Sequence, residues 1–171
     1  MMQTDVQSAH IGQTGFLTSG RSRLKQITYS GNAGQAGVLG IFDSANAAIA
    51  AVYARSGNTI TVTKSAHGLN TGDKIGIAFA SAAGASGTDN NYVVTVVDSS
   101  TFTITDTNSG TVSGGTACYY VNSGGLWLTS FNTLTGATGS QQIPVPGEGM
   151  LVTKGLYVVC TYISFVTVFY G

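Results

Sequence analysis

The residues best placed to do chemistry lie in SAHGLNTGDKIGI, residues 65 to 77, where His67, Asp73 and Lys74 sit close together. A histidine beside a carboxylate is the raw material of a general base. A histidine with two or three further His, Cys or carboxylate neighbours is the raw material of a zinc site. The chain holds only two histidines and two cysteines, and no second His or Cys lies near His67. Gly68, Asn70, Gly72 and Asp73 are instead turn residues, because Gly and Asn tolerate positive φ at little cost. The stretch therefore reads as a turn between two strands, with His67 satisfying a backbone carbonyl.

Other chemical candidates are weighed the same way. DTNSG, 106 to 110, has the D-x-N-x-G opening of a calcium loop, but the twelfth position from Asp106 is Ala117, where such a loop needs a bidentate Glu. A hairpin turn is expected there. TDNN, 88 to 91, offers a single carboxylate. The chain has seven acidic residues, none clearly paired along the sequence, and no G-x-S-x-G, P-loop or H-E-x-x-H pattern. The expectation is a protein without catalytic residues, cofactor or metal.

Two clusters suit binding better than catalysis. Arg21, Arg23 and Lys25 alternate along one strand and hold three of the seven cations. They are either a charged edge that blocks aggregation or a contact with acidic groups on a neighbouring subunit, and scarce charge elsewhere favours the contact. Trp127 with Tyr119 and Tyr120 is read as core, with a glycan-binding shelf as the alternative. Cys118 and Cys160 lie among β-formers and read as buried free thiols.

The elements that must carry these residues are strands. NTITVTK alternates, with Ile60 and Val62 on one face. RLKQITYS places Lys25, Ile27 and Tyr29 on one face and Leu24, Gln26 and Thr28 on the other. NYVVTVVD and STFTITD alternate again, separated by Asp-Ser-Ser, and TNSGTVSGG reads as another turn before TACYYV. AAIAAVYARS is short and leans towards strand. GLYVVCTYISFVTVFYG reads as two strands or one bent strand. IPVPGEGMLV carries both prolines, which suits an edge or a turn. No amphipathic helical period is evident.

Texture divides the chain. The flanks are Leu/Phe/Tyr-rich, the middle Thr-rich, and neither flank alone has enough strands for a stable sandwich. The expected architecture is all-β: an outer β-sandwich, jelly-roll or Ig-like, from 21–55 plus 121–171, interrupted by a small β-barrel or sandwich module at 56–120. Residues 1–20 are expected as an N-terminal arm, flexible or docking as a strand.

Composition excludes some functions. Charged residues are 8% of the chain and the formal net charge is zero, so a basic nucleic-acid footprint is missing. No run of 18 apolar residues suggests a membrane helix. The N-terminal MMQTDVQSAHIGQTG has no apolar core of a secretory leader, so none is expected. So little charge leaves a surface poorly defended against self-association, which points to an assembled state.

NTITVTKSAHGLNTGDKIGI, followed by NYVVTVVDSSTFTITDT, resembles a small β module that recurs in bacteriophage virion proteins and is similar to the FCCH domain of ubiquitin-activating enzymes. GRSRLKQITYSGNAGQAGVLGIFD and IPVPGEGMLVTKGLYVVCTYISFVTVFYG resemble structural proteins of tailed phages of marine bacteria, cyanophages in particular. The resemblance implies no ubiquitin chemistry, no enzyme and no cofactor. It implies a virion protein assembled in the host cytoplasm. Its expected role is capsid decoration or cement on the major capsid protein lattice, as a homo-oligomer for which a trimer would suit a lattice site. The alternative is a tail-fibre or tail-tip component contacting host glycan.

Overall fold

The computed structural model describes residues 6–82, 85–122, 124–136 and 138–171. Its strands are β1 (Gln7–Ile11), β2 (Gly15–Ser19), β3 (Ser22–Gly31), β4 (Val38–Asp43), β5 (Ile49–Thr63), β6 (Lys74–Phe79), β7 (Asn90–Val93), β8 (Thr95–Asp98), β9 (Thr101–Val121), β10 (Leu126–Asn132), β11 (Ser140–Pro144), β12 (Met150–Val152), β13 (Gly155–Thr161) and β14 (Ile163–Tyr170). They pair antiparallel in three sheets. The outer sheet runs β1-β14-β3-β11, with β12 also on β3. The middle sheet runs β10-β4-β13-β2. The module sheet runs β5-β9-β6-β7, with β8 on β9. The protein is all-β.

The middle sheet is covered on both faces. Leu39 and Ile41 of β4, with Leu156 and Val158 of β13, pack on Leu24, Ile27, Tyr29, Val166 and Val168 of the outer sheet. The intervening residues Phe42, Tyr157 and Val159 pack on Ala78 and Val121 of the module. All six residues of β4 are buried, which is why VLGIFD reads as a near-continuous apolar run rather than an alternation. Strand β6 mirrors it. Ile75, Ile77 and Phe79 enter the module core with Ile60, Val62, Phe102 and Tyr120, while Gly76 and Ala78 face the middle sheet.

Gly76 shows how closely the layers approach. A Cβ there would stand 2.1 Å from the Trp127 nitrogen and 2.7 Å from the Leu126 carbonyl carbon. Both are backbone atoms, so no rotamer change could make room. Asn91 completes the seam. Its side-chain oxygen accepts from the Trp127 N–H at 2.8 Å and its amide donates to the Trp127 carbonyl at 3.2 Å. That amide acts as a short extra strand against the outer edge of β10.

Residues 7–19 of the expected arm dock as strands, β1 and β2, paired to β14 and β13, because Ile11 and Leu17 reach the sandwich core; residues 1–5 of that arm lie outside the described residues. The structure departs from the sequence reading at three places. The unit built by the module sheet begins at Ile49 and ends at Val121 rather than at 56 and 120, since β5 and β9 already pair at Ile49 and Tyr120. TNSGTVSGG does not turn the chain but continues β9, pairing Arg55 with Val112 and Gly57 with Gly110. Its surplus residues leave as bulges, one of them through Gly114 and Gly115 at φ +97° and +77°. Finally, Leu24 is buried on the same side as Ile27 and Tyr29. Between Gln26↔Phe169 and Leu24↔Tyr170, β3 advances two residues and β14 one, so Lys25 is the extra residue of a bulge and the alternation slips there.

Candidate functional site

The stretch around His67 is a locked turn. The Leu69 N–H donates to His67 Nδ1 at 3.1 Å, so His67 Nε2 carries the proton and donates to the Asp98 carbonyl at 2.8 Å. The ring also meets Phe102 edge-on, with centroids 5.4 Å apart. His67 thus ties the turn after β5 to the turn between β8 and β9. Asp73 Oδ2 accepts from the Asn70 N–H at 2.8 Å. His67 and Asp73 each have a partner of their own within the turns, and among the described residues no hydrogen bond or ion pair joins the side chains of His67, Asp73 and Lys74.

The other carboxylates singled out, and one that was not, are equally committed. Asp106 is 1% exposed and meets Arg55 at 3.2 Å. It also accepts from the Thr88 and Asn108 N–H groups at 2.8 and 3.1 Å. Burial pushes its pKa up, but those hydrogen bonds and Arg55 outweigh it, and the carboxyl sits below its ordinary range. Arg55, 3% exposed, gives its remaining donors to the Gly57, Ala85, Ser86 and Asn108 carbonyls. DTNSG is therefore a bulge closed on an arginine, and its carboxylate is already neutralised.

Asp43, at the end of β4, accepts from the Thr153 hydroxyl at 2.7 Å and the Thr153, Lys154 and Gly155 N–H groups at 2.9, 2.7 and 3.3 Å. Burial acts to raise its pKa, and these hydrogen bonds lower it further than burial raises it. Asp89 behaves oppositely. It accepts from the Phe79 N–H at 2.7 Å and from Ser130 Oγ, which in turn accepts from the Trp127 indole N–H at 3.1 Å. Burial dominates and holds Asp89 above its ordinary range. Among the described residues no group of three or more His, Cys, Asp or Glu side chains could hold a metal ion.

The three aromatic candidates do not share an exposed face. Tyr119 and Tyr120 are neighbours on β9 and point to opposite sides. Tyr120 is fully buried in the module core, edge-on to Phe102. Tyr119 packs in the seam with Trp127, and its hydroxyl accepts from the Thr161 hydroxyl at 2.9 Å. Cys118 is buried, Cys160 half-buried, and both are free thiols; burial pushes both up, Cys160 to about 12.

Arg21, Arg23 and Lys25 do come together. They line one cleft of about 480 Å³ with Val6, Gln7, Ser22, Tyr170 and Gly171. Three strands deliver it: the start of β1, the start of β3 and the end of β14. The Arg23 N–H donates to the Gly171 carbonyl at 2.8 Å, and the Gly171 N–H returns a bond to Arg23 at 3.1 Å, which fixes the cleft floor. Lys25 Nζ donates to the Glu148 carbonyl at 2.7 Å and Arg23 Nη1 to the same oxygen at 3.5 Å. Among the described residues no carboxylate lies within ion-pair distance of any of the three cations; the ion pair found is Arg55–Asp106. The three cations give the arrangement the charge to receive an anion.

Sequence reasoning missed Asp43 and Arg55, and saw Asp89 only as the single carboxylate of TDNN. The available signal was scarcity: in a chain with so few charges, one placed amid apolar strand residues needs a buried partner.

No family model and no curated protein matches the chain. Among solved structures, Phage phi92 endosialidase aligns at a TM-score of 0.33 and 17% sequence identity, over 81% of this chain and 20% of that one. The chain thus spans about a fifth of that protein's length. A superposition this loose says nothing about shared chemistry.

Proposed function

We propose that this chain is a non-enzymatic structural protein of a tailed phage virion, acting as a capsid decoration or cement protein on the major capsid lattice. The observation that carries the proposal is the distribution of charge. Asp43, Asp89, Asp106, Arg55 and His67 hold the scaffold together, while Arg21, Arg23 and Lys25, gathered in one cleft, have no ion-pair partner among the described residues and can meet a group outside the chain. The resemblance of the HGLNTGD module and the flanking strands to phage virion proteins supports the same reading. A rigid, nearly uncharged β subunit suits a lattice, where many modest contacts add through multivalency and lose little to salt. Its partners are the major capsid protein and further copies of itself, assembled in the host cytoplasm.

Labelling tests this reading. Antibody to the chain, applied to virions of the phage that encodes it and imaged by electron microscopy, should decorate the icosahedral shell. Label confined to the tail would replace the decoration reading with the tail-fibre or tail-tip reading, in which host surface glycan is the ligand.

A further inference from the structure

The sandwich protects its strand edges unequally. On the outer sheet, Pro144 and Pro146 interrupt the edge beyond β3 and divide it into β11 and β12. On the middle sheet, Asn91 caps β10. In the module, two irregularities in the β5–β9 pairing, at Ala54 and at Asn58, interrupt the long edge of β5, and the Thr71 hydroxyl accepts from the Val96 N–H at 2.9 Å beside β8. Prolines, bulges and caps of this kind keep an edge from pairing with another chain.

On the opposite side of the sandwich β1 has none of them, whereas β2 carries a bulge at Leu17. Strands β1 and β2, QSAHI and GFLTS, end the outer and middle sheets on that side and contain no proline and no Asp, Glu, Lys or Arg. Among the described residues β14 is the sole strand paired to β1 and β13 the sole strand paired to β2. Val6 and Phe16 are exposed there, at 59% and 48%. The cationic cleft lies at the start of this same edge, since Val6 and Gln7 form one of its walls.

We infer that the β1 edge and the cleft form one docking site for an extended, acidic segment of a partner protein. The segment adds as a further strand beside β1 and places its carboxylates against Arg21, Arg23 and Lys25. Main-chain hydrogen bonds supply the attachment, as in other strand additions. Charge supplies the selection and the register, because three cations without an ion pair among the described residues favour carboxylates at that end. A free edge is what distinguishes a protein segment from an acidic polysaccharide, which has no backbone N–H and C=O ladder to offer it. This deepens the virion reading and rests on it for where the partner resides, but the docking itself can be measured without a particle.

Two capped synthetic peptides serve as probes, each an alternating Thr-Val strand, one ending in three glutamates and the other in three glutamines. Binding to the full chain is followed by fluorescence anisotropy at low salt, and amide hydrogen exchange is read across β1. The Glu peptide should bind, slow exchange of the β1 amides and bind about tenfold more weakly to the R21Q/R23Q/K25Q variant, the combined effect of three exposed ion pairs. The Gln peptide should show the same loss against the unmodified chain. Equal binding of the two peptides, or binding of the Glu peptide without protection of β1, overturns the inference. So does polygalacturonate, used as a carboxylated polysaccharide, if it displaces the Glu peptide at equal carboxylate concentration and leaves β1 unprotected. The variant's thermal midpoint, measured alongside, separates loss of docking from loss of fold. If peptide docking succeeds but virion labelling fails, the docking site stands and the virion assignment falls.

Discussion

Single residues in this protein divide by what surrounds their charge. Asp43 and Asp89 are both partly withdrawn from water, yet their pKa values move in opposite directions. Asp43 accepts three backbone N–H bonds and a hydroxyl, all of which favour the ionised form. Asp89 accepts one backbone N–H and one hydroxyl, too few to offset burial. Asparagine substitution should separate them. Asp43→Asn turns an amide NH₂ toward N–H donors and should cost about 3 kcal/mol, whereas Asp89→Asn at neutral pH should fall within about 1 kcal/mol of the parent because it removes a charge that burial disfavours. Urea denaturation of the two variants checks this, and equal losses would refute it.

The pH dependence follows from the same shifts. Asp43 and Asp106 are lowered in the folded state, so their contribution is complete above the unfolded carboxylate pKa, about 3.9, and is lost as pH falls through the folded values. Asp89 is raised, so the folded state keeps its proton longer and stability falls as pH rises from about 3.9 toward its folded value. Comparing stability against pH for the parent and Asp89→Asn should isolate this opposing slope. The parent should lose stability relative to the variant as pH rises through that window, and parallel curves would contradict the assignment.

At the scale of elements, the seam between module and sandwich is the feature most open to test. Strand β6 turns small residues, Gly76 and Ala78, toward the middle sheet, and Gly76 lies where any Cβ would collide with backbone. Gly76→Ala should therefore destabilise by about 3 kcal/mol, at the upper end for overpacking, because backbone must move. Faster hydrogen exchange at β10 should accompany the loss. A variant of unchanged stability would mean that the two units do not dock as closely as described.

Much at this scale was legible in the sequence. NTITVTK and STFTITD show period two because each has one face in the module core. VLGIFD has no such period because the layer it belongs to is buried twice. What stayed hidden depends on count rather than type. A bulge at Lys25 and the surplus residues of β9 shift which residue faces where, and an inserted residue leaves no mark on a hydrophobic pattern. TNSGTVSGG has the composition of a turn, yet Arg55 closes part of it into a strand from more than fifty positions away. The polar N-terminal segment left open whether it docks, because among its described residues Ile11 and Leu17 are the large anchors in the sandwich core.

At the scale of the whole molecule, three stacked sheets provide several surfaces for contact. Of the groups the sequence singles out, His67, Asp73 and Asp106 became structural, the aromatic trio was divided between core and seam, and Arg21, Arg23 and Lys25 were gathered into one cleft. The sequence could show that these cations share a strand. That β1 and β14 would supply the remaining walls depends on pairings across most of the chain length. The resulting chain has an unprotected β1 edge beside concentrated positive charge, which suits the proposed attachment to many equivalent sites. The most direct test is the copy number per virion, from quantitative mass spectrometry of purified particles against the major capsid protein. The decoration account predicts a number that scales with the capsid lattice, on the order of hundreds, as repeated weak attachment requires. A number on the order of ten would place the protein at a tail or vertex and contradict it.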